Sequence, residues 1–217
     1  MLLTDQRFRS RLLFFVLVTV LISGCEKSST NPPLNIPNYT AEDRSFFPLS
    51  FGNTWKYAIV EAGDTVSYYD YIVGEVTTGN DLRAVLRYQS TAHTVEEYAR
   101  WIDDEFRVSS QYPYDIELVL LKIPLTVGRD WEVYNYTNEN LVWESYAEVV
   151  DDSVAISTVA GDFVAVKIRE LFTHHQTEAP VYQDSIFHYY VKGIGRVRSV
   201  EPNEVHELRF YNVQPEE

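Results

Sequence analysis

Phe163-Val164-Ala165-Val166-Lys167-Ile168-Arg169-Glu170-Leu171-Phe172 decides the fold class. Val164, Val166, Ile168 and Phe172 fall on one side of an extended chain, Lys167 and Arg169 on the other. A period of two with one apolar side marks a strand that has one wet face. Leu82–Gln89 repeats the pattern, with Leu82, Ala84, Leu86 and Tyr88 opposite Arg83, Arg87 and Gln89. Such half-buried alternation belongs to antiparallel sheets. Turn signals separate the runs: Ala62-Gly63-Asp64, Gly79-Asn80-Asp81, Thr137-Asn138-Glu139-Asn140, Ala160-Gly161-Asp162 and Pro202-Asn203-Glu204. The pattern predicts an all-β domain over 44–217, an antiparallel meander forming a strongly curved sheet, a sandwich or an open barrel. One stretch reads two ways. Val95, Tyr98, Ala99 and Ile102 suit a short helix, but two strands turning at Asp103-Asp104-Glu105 are preferred.

The 217 residues suit one domain, large enough to bury about 70% of its unfolded surface without disulfides or structural metals. The 16 tyrosines favour strands, where flat rings pack across a pleated face. A single cysteine excludes an intrachain disulfide and a cysteine-ligated metal cluster. The formal charge is −14, and a surface so acidic repels phosphate backbones, so no nucleic-acid partner is expected.

Residues 1–11 carry Arg7, Arg9 and Arg11 against Asp5, and the uninterrupted apolar run Leu12–Ile22 follows. Eleven residues at 1.5 Å rise reach about 16 Å, half the thickness of a hydrocarbon core. That is the length of a signal-peptide core rather than a membrane span. Leu21-Ile22-Ser23-Gly24-Cys25 then resembles the lipobox of bacterial lipoproteins. The resemblance implies a signal peptide over 1–24, cleavage between Gly24 and Cys25, a diacylglyceryl group on the Cys25 thiol and acylation of the new amino group. Two or more acyl chains hold a protein stably where one does not, at ~0.8 kcal/mol per buried CH₂. Glu26 in place of aspartate implies, by analogy with enterobacterial lipoproteins, the outer membrane. Proline-rich, polar 26–40 reads as a tether reaching about 50 Å, so 25–43 is lipidated cysteine plus linker.

Pro48-Leu49-Ser50-Phe51-Gly52-Asn53-Thr54-Trp55 is echoed 76 positions later by Pro124-Leu125-Thr126-Val127-Gly128-Arg129-Asp130-Trp131. Each reads as a corner that opens a strand: proline ends pairing, glycine supplies positive φ, and tryptophan enters the core. Outside these eight residues the sequence offers no convincing repeat. Phe47-Pro48-Leu49 with Gly52-Asn53-Thr54-Trp55, then Ala160-Gly161-Asp162-Phe163, then Tyr190-Val191-Lys192-Gly193-Ile194-Gly195-Arg196-Val197, resembles a widespread group of secreted bacterial lipoproteins. The resemblance implies a shared fold and envelope location and brings no catalytic residues.

Chemistry is harder to find. Neighbouring His174 and His175 point to opposite faces of a strand, and His93, His188 and His206 show no ligand spacing. Solvated or capping histidines are expected, with no metal and no cofactor. Gly193-Ile194-Gly195 lacks the third glycine and the helix of a dinucleotide loop, and reads as a tight backbone crossing at a bulge. Glu96-Glu97, Asp103-Asp104-Glu105 and Asp151-Asp152 lack calcium-loop spacing, and the middle group reads as a solvated hairpin tip. Tyr68, Tyr69, Tyr71, Trp101, Tyr112, Tyr114, Tyr134, Tyr136, Trp143 and Tyr146 could line a groove, though alternating tyrosines in sheets more often pack across strands. The leading reading is a non-enzymatic envelope lipoprotein, a binding or assembly module held to a membrane and meeting an envelope protein. The second is a carrier or sensor of an apolar ligand in a concave sheet, and the third a hydrolase with paired carboxylates. Cys25→Ser is expected to leave an uncleaved precursor, visible as slower migration on a gel; normal cleavage and membrane attachment would refute the lipobox reading.

Overall fold

The computed structural model describes residues 44–78, 81–90, 94–109, 116–137, 141–176 and 181–214, with backbone alone over 75–78 and 81–89 and at 176. Cys25, the segments before and after it, His93, Tyr112, Tyr114 and the turns at 79–80 and 138–140 lie outside the described residues. Twelve strands form among those described: β1 Thr54–Glu61, β2 Asp64–Thr78, β3 Asp81–Ser90, β4 Thr94–Ile102, β5 Glu105–Ser109, β6 Leu118–Lys122, β7 Asp130–Thr137, β8 Leu141–Thr158, β9 Gly161–Gln176, β10 Tyr182–Val191, β11 Gly195–Val200 and β12 Val205–Asn212. They make one antiparallel sheet in the order β6-β5-β4-β3-β2-β1-β12-β11-β10-β9-β8-β7. The all-β expectation holds. Residues 94–109 are two strands turning at Asp103-Asp104, where Asp103 takes a positive φ.

Every strand pairs with its chain neighbours except at two places. The first and last strands pair with each other, Trp55 opposite Tyr211 and Tyr57 opposite Leu208. Consecutive β6 and β7 instead form the sheet's two edges. Curvature brings those edges together without a ladder, and the Trp131 indole N–H on β7 donates to the Val119 carbonyl on β6 at 2.9 Å. The result is an open barrel. Bulges at several registers supply the local bending, since an extra residue on one strand increases its twist.

The two echoed corners superpose in their hydrogen bonds. Gly52 N–H donates to Val73 O at 2.9 Å and Gly128 N–H to Val149 O at 2.8 Å. Val73 N–H returns to Asn53 O, and Val149 N–H to Arg129 O. Both glycines hold φ near +84° (83° and 85°), a region that a side chain rarely enters. The partner valines are again 76 positions apart. The corners therefore begin two equivalent six-stranded meanders, β1–β6 and β7–β12, an equivalence of backbone that the sequence shows only at the corners.

All odd-numbered strands start at one end of the barrel, and that end is filled. Phe47 stacks on Phe106 at 4.4 Å between ring centroids, Trp101 lies at 5.3 Å from Phe106, and Trp55, Leu121, Ile123, Leu125 and Trp131 are buried with them. Asn53, fully buried, donates its side-chain N–H to Pro48 O and accepts from Gln214 N–H at 2.8 Å, joining the two ends of the sheet-forming chain. Gly193-Ile194-Gly195 is the crossing expected. Gly193 N–H donates to Ser45 O, and the Trp55 indole donates to Ile194 O while lying against Gly195.

One strand face differs from expectation. Val166 and Ile168 are buried, but Val164 is 66% exposed and Ala165 is buried instead. Two extra residues on β8, between Val149 and Asp151 and between Asp151 and Val154, bend the β8–β9 hairpin at this point and switch the buried face of β9. Asp151-Asp152 occupies that bend. Gly195→Ala would place its Cβ 3.3 Å from the Trp55 indole nitrogen at a φ of +105°. It is expected to cost about 2–4 kcal/mol in chemical denaturation, whereas Gly63→Ala, in open space, should cost about 1 kcal/mol.

Candidate functional site: a polar belt inside the barrel

Beyond the apolar plug the inward-facing side chains turn polar. Period two carries Glu97 inward on β4 with Ala99 and Trp101, Tyr69 and Tyr71 on β2 with Val73, and Tyr57 on β1 with Trp55. Tyr190 and His188 come from β10, Ser199 and Arg196 from β11, Glu170 from β9 with Ile168, and Ser145 from β8 with Ala147. The belt therefore crosses most of the sheet. A bulge at Tyr189/Tyr190 puts Arg196 opposite Tyr190 and turns Arg198 to the other face.

Two clusters make up the belt. The first is a chain of four residues on four adjacent strands. Ser145 Oγ–H donates to Glu170 Oε1, and His188 Nε2–H donates to Glu170 Oε2 at 3.0 Å. The other ring nitrogen, Nδ1, lies 3.1 Å from the Ser199 hydroxyl. Burial pushes the Glu170 carboxyl up, but the His188 hydrogen bond and charge, Ser145 and Arg196 outweigh it and leave it lowered. Ser, His and Glu in series suggest a nucleophile and its base. Ser199 is 2% exposed, however, and both Glu170 oxygens are occupied. The chain ties four adjacent strands together through side-chain hydrogen bonds.

The second cluster surrounds Arg196. Tyr57 stacks on Tyr69 at 5.1 Å, Tyr71 meets both edge-on, and the Arg196 guanidinium carbon lies 5.6 Å from the Tyr57 ring centre. Tyr57 also donates its hydroxyl to Arg196 O at 2.6 Å. Burial raises the Tyr57, Tyr71 and Tyr190 hydroxyls, so all three stay neutral. Burial also raises the Glu97 carboxyl, against the opposing pull of Arg196. Among the described residues no carboxylate lies within ion-pair distance of Arg196, and Glu97 has no hydrogen-bond partner. Both sit deep in the protein yet keep intermediate exposure.

The residues singled out from sequence divide. Tyr69, Tyr71 and Trp101 point inward, whereas Tyr68 and Tyr146 are exposed. Trp143 packs at 5.0 Å on His174, a cross-strand pair. His188 and His206 are neither solvated nor capping: each is half-buried with defined partners. The hairpin tip is only partly solvated. Asp103 is exposed, but Asp104 pairs with Arg129 at 2.7 Å and Glu105 with Lys122 at 2.8 Å and with Arg107. Tyr57 and Glu170 were not singled out as site residues; Glu97 was named only in the acidic pair Glu96-Glu97, and Tyr190 and Arg196 only within the motif from Tyr190 to Val197. The available signal was an ionisable residue at an inward position of an alternating strand, as Glu170 is in the series Val166, Ile168, Glu170.

No protein-family model and no curated protein matches this sequence. Two solved structures do match in fold. One, from Bacteroides fragilis, is described as an exported protein with a YmcC-like fold, with TM-score 0.53, 18% identity and coverage of 77% of this chain and 98% of that one. The other, from Parabacteroides distasonis, is described as a lipoprotein, with TM-score 0.53, 16% identity and the same coverage. The likeness shows a shared fold. Its scaffold tolerates sequences that differ at four positions in five.

The two glutamates predict opposite pH behaviour. Glu170 is lowered in the fold, so its contribution is full above the unfolded carboxyl value and fades as pH falls through the folded one. Glu97 is raised, so its contribution is full below the unfolded value and is lost as pH rises. Glu97→Gln should therefore raise Tm at pH 8 by about 2–4 °C, the shift ~1 kcal/mol produces in a domain of this size, and leave it unchanged at pH 4. Glu170→Gln should lower Tm at pH 8 by about 4 °C or more and converge on wild type in acid.

Proposed function

We propose that this protein is a cell-envelope lipoprotein, anchored through Cys25, whose barrel interior binds a small polar ligand without turning it over. The observation that carries the reading is the Arg196 and Glu97 pair. A guanidinium and a carboxyl face the same interior, no ion pair joins them, and neutral tyrosines surround them. Burying a guanidinium and a carboxyl with no ion pair between them costs several kcal/mol, and a ligand that bonds to both recovers it. Sites of this kind combine aromatic walls with a few convergent polar groups.

Exported relatives in fold support the envelope location, and Leu21–Cys25 supports the lipid anchor. An apolar cargo finds no support at the level of the belt, because tyrosine hydroxyls, glutamates and arginine line it. The hydrolase reading gains one element, since Glu97 is raised and Glu170 lowered. It lacks a free base, because Ser145 and His188 hold both Glu170 oxygens.

Native mass spectrometry of the full-length lipidated protein in mild detergent tests the reading. A polar adduct of a few hundred daltons is expected on wild type and lost in Arg196→Gln, with the variant's unfolding still cooperative. The proposal fails if wild type carries lipid alone and if neutral sugars, acidic sugars and short peptides at millimolar concentration all move its Tm by less than about 1 °C.

A further inference from the structure

The turn between β11 and β12 assembles a donor set that lies apart from Arg196. Glu201 and Glu204 flank the turn, closed by the Glu201 N–H to Glu204 O hydrogen bond at 2.9 Å, and His206 follows on β12. One ligand atom from each of Glu201, Glu204 and His206 lies within 4.8 Å of the other two. His206 Nε2 is 2.8 Å from Glu204 Oε1 and 3.4 Å from Glu201 Oε1. All three side chains are only 12–18% exposed (12%, 15% and 18%).

We propose that Glu201, Glu204 and His206 bind one borderline divalent transition ion of the zinc type. Donors ~2.1 Å from a tetrahedral zinc lie about 3.4 Å apart, which the Glu201 to His206 distance meets and the Glu204 distance reaches by opening about 0.6 Å. Two carboxylates converge on one imidazole in a half-buried place. The imidazole selects against calcium, which takes six to eight oxygens.

A second feature, outside the trio, points the same way. Tyr69 OH lies 2.8 Å from His206 Nδ1, and Tyr69 is itself buried and stacked on Tyr57. The far ring nitrogen of a metal-ligating histidine is held in this way by an outer partner, which fixes the ring and leaves Nε2 for the ion. In the bound state Nδ1–H donates to the tyrosine oxygen and Nε2 turns its lone pair to the metal. Binding takes the proton off Nε2: a ring protonated on both nitrogens releases one proton, and a neutral Nε2–H ring carries its proton on Nδ1 instead.

The full-length protein, stripped with EDTA in detergent, is titrated with zinc chloride by calorimetry while its Tm is followed. One zinc per chain, a Tm rise and no response to calcium are expected. His206→Gln and Glu204→Gln should each weaken zinc at least 10-fold, and Tyr69→Phe about 10-fold through the outer contact. Glu201→Gln, at the rim of the hairpin, is the variant that leaves the barrel interior untouched and should also weaken binding about 10-fold. Failure to bind zinc stoichiometrically, or affinity unchanged in Glu201→Gln and His206→Gln, overturns the proposal and makes the trio a histidine–carboxylate ion pair alone.

Discussion

The first strand of the barrel pairs with the last, and the other ten strands depend on that seam. Local hairpins could form a flat meander from either end of the chain. Only the Trp55 to Tyr211 and Tyr57 to Leu208 register joins the two meanders into one sheet. Closing so long a loop costs entropy that grows slowly with length, so a few strong contacts suffice to offset it. Trp55 supplies several: its ring is buried, its N–H meets Ile194 O, and it lies against Gly195, where a Cβ would come 3.3 Å from the indole nitrogen. Asn53 adds a tie to Gln214. The equivalent junction between β6 and β7 has the Trp131 bond but no ladder. Its edge strand β6 is five residues long and carries Lys122 paired with Glu105, features that discourage further strand addition.

With one end filled by aromatic and aliphatic side chains, the barrel keeps a polar belt that stability alone does not call for. The Ser145–Glu170–His188–Ser199 chain satisfies its own groups and stiffens four strands. Arg196 and Glu97 are different, because among the described residues no ion pair joins these two inward-facing groups.

Period two made the strands legible, and the corner residues made both meander starts legible, down to the glycines at positive φ. Val164 was misread because bulges on β8, a neighbouring strand, decide which face of β9 is buried. His188 and His206 were misread because their partners, Glu170, Ser199 and Tyr69, lie far along the chain. Glu201-x-x-Glu204-x-His206 was in plain view, but spacing acquires meaning only once the residues are known to flank a turn.

By itself the sequence determined the antiparallel strands, the two glycine corners and the composition of the belt, since alternation and φ preference are properties of a residue and its nearest neighbours. Which residues share an interior is a property of register across the sheet. The β1–β12 seam, the inward placement of Arg196 and Glu97 and the meeting of Tyr69 with His206 were therefore decided only by the tertiary structure. Pairing over such sequence distances depends on the sum of many weak contacts, and no local pattern encodes that sum.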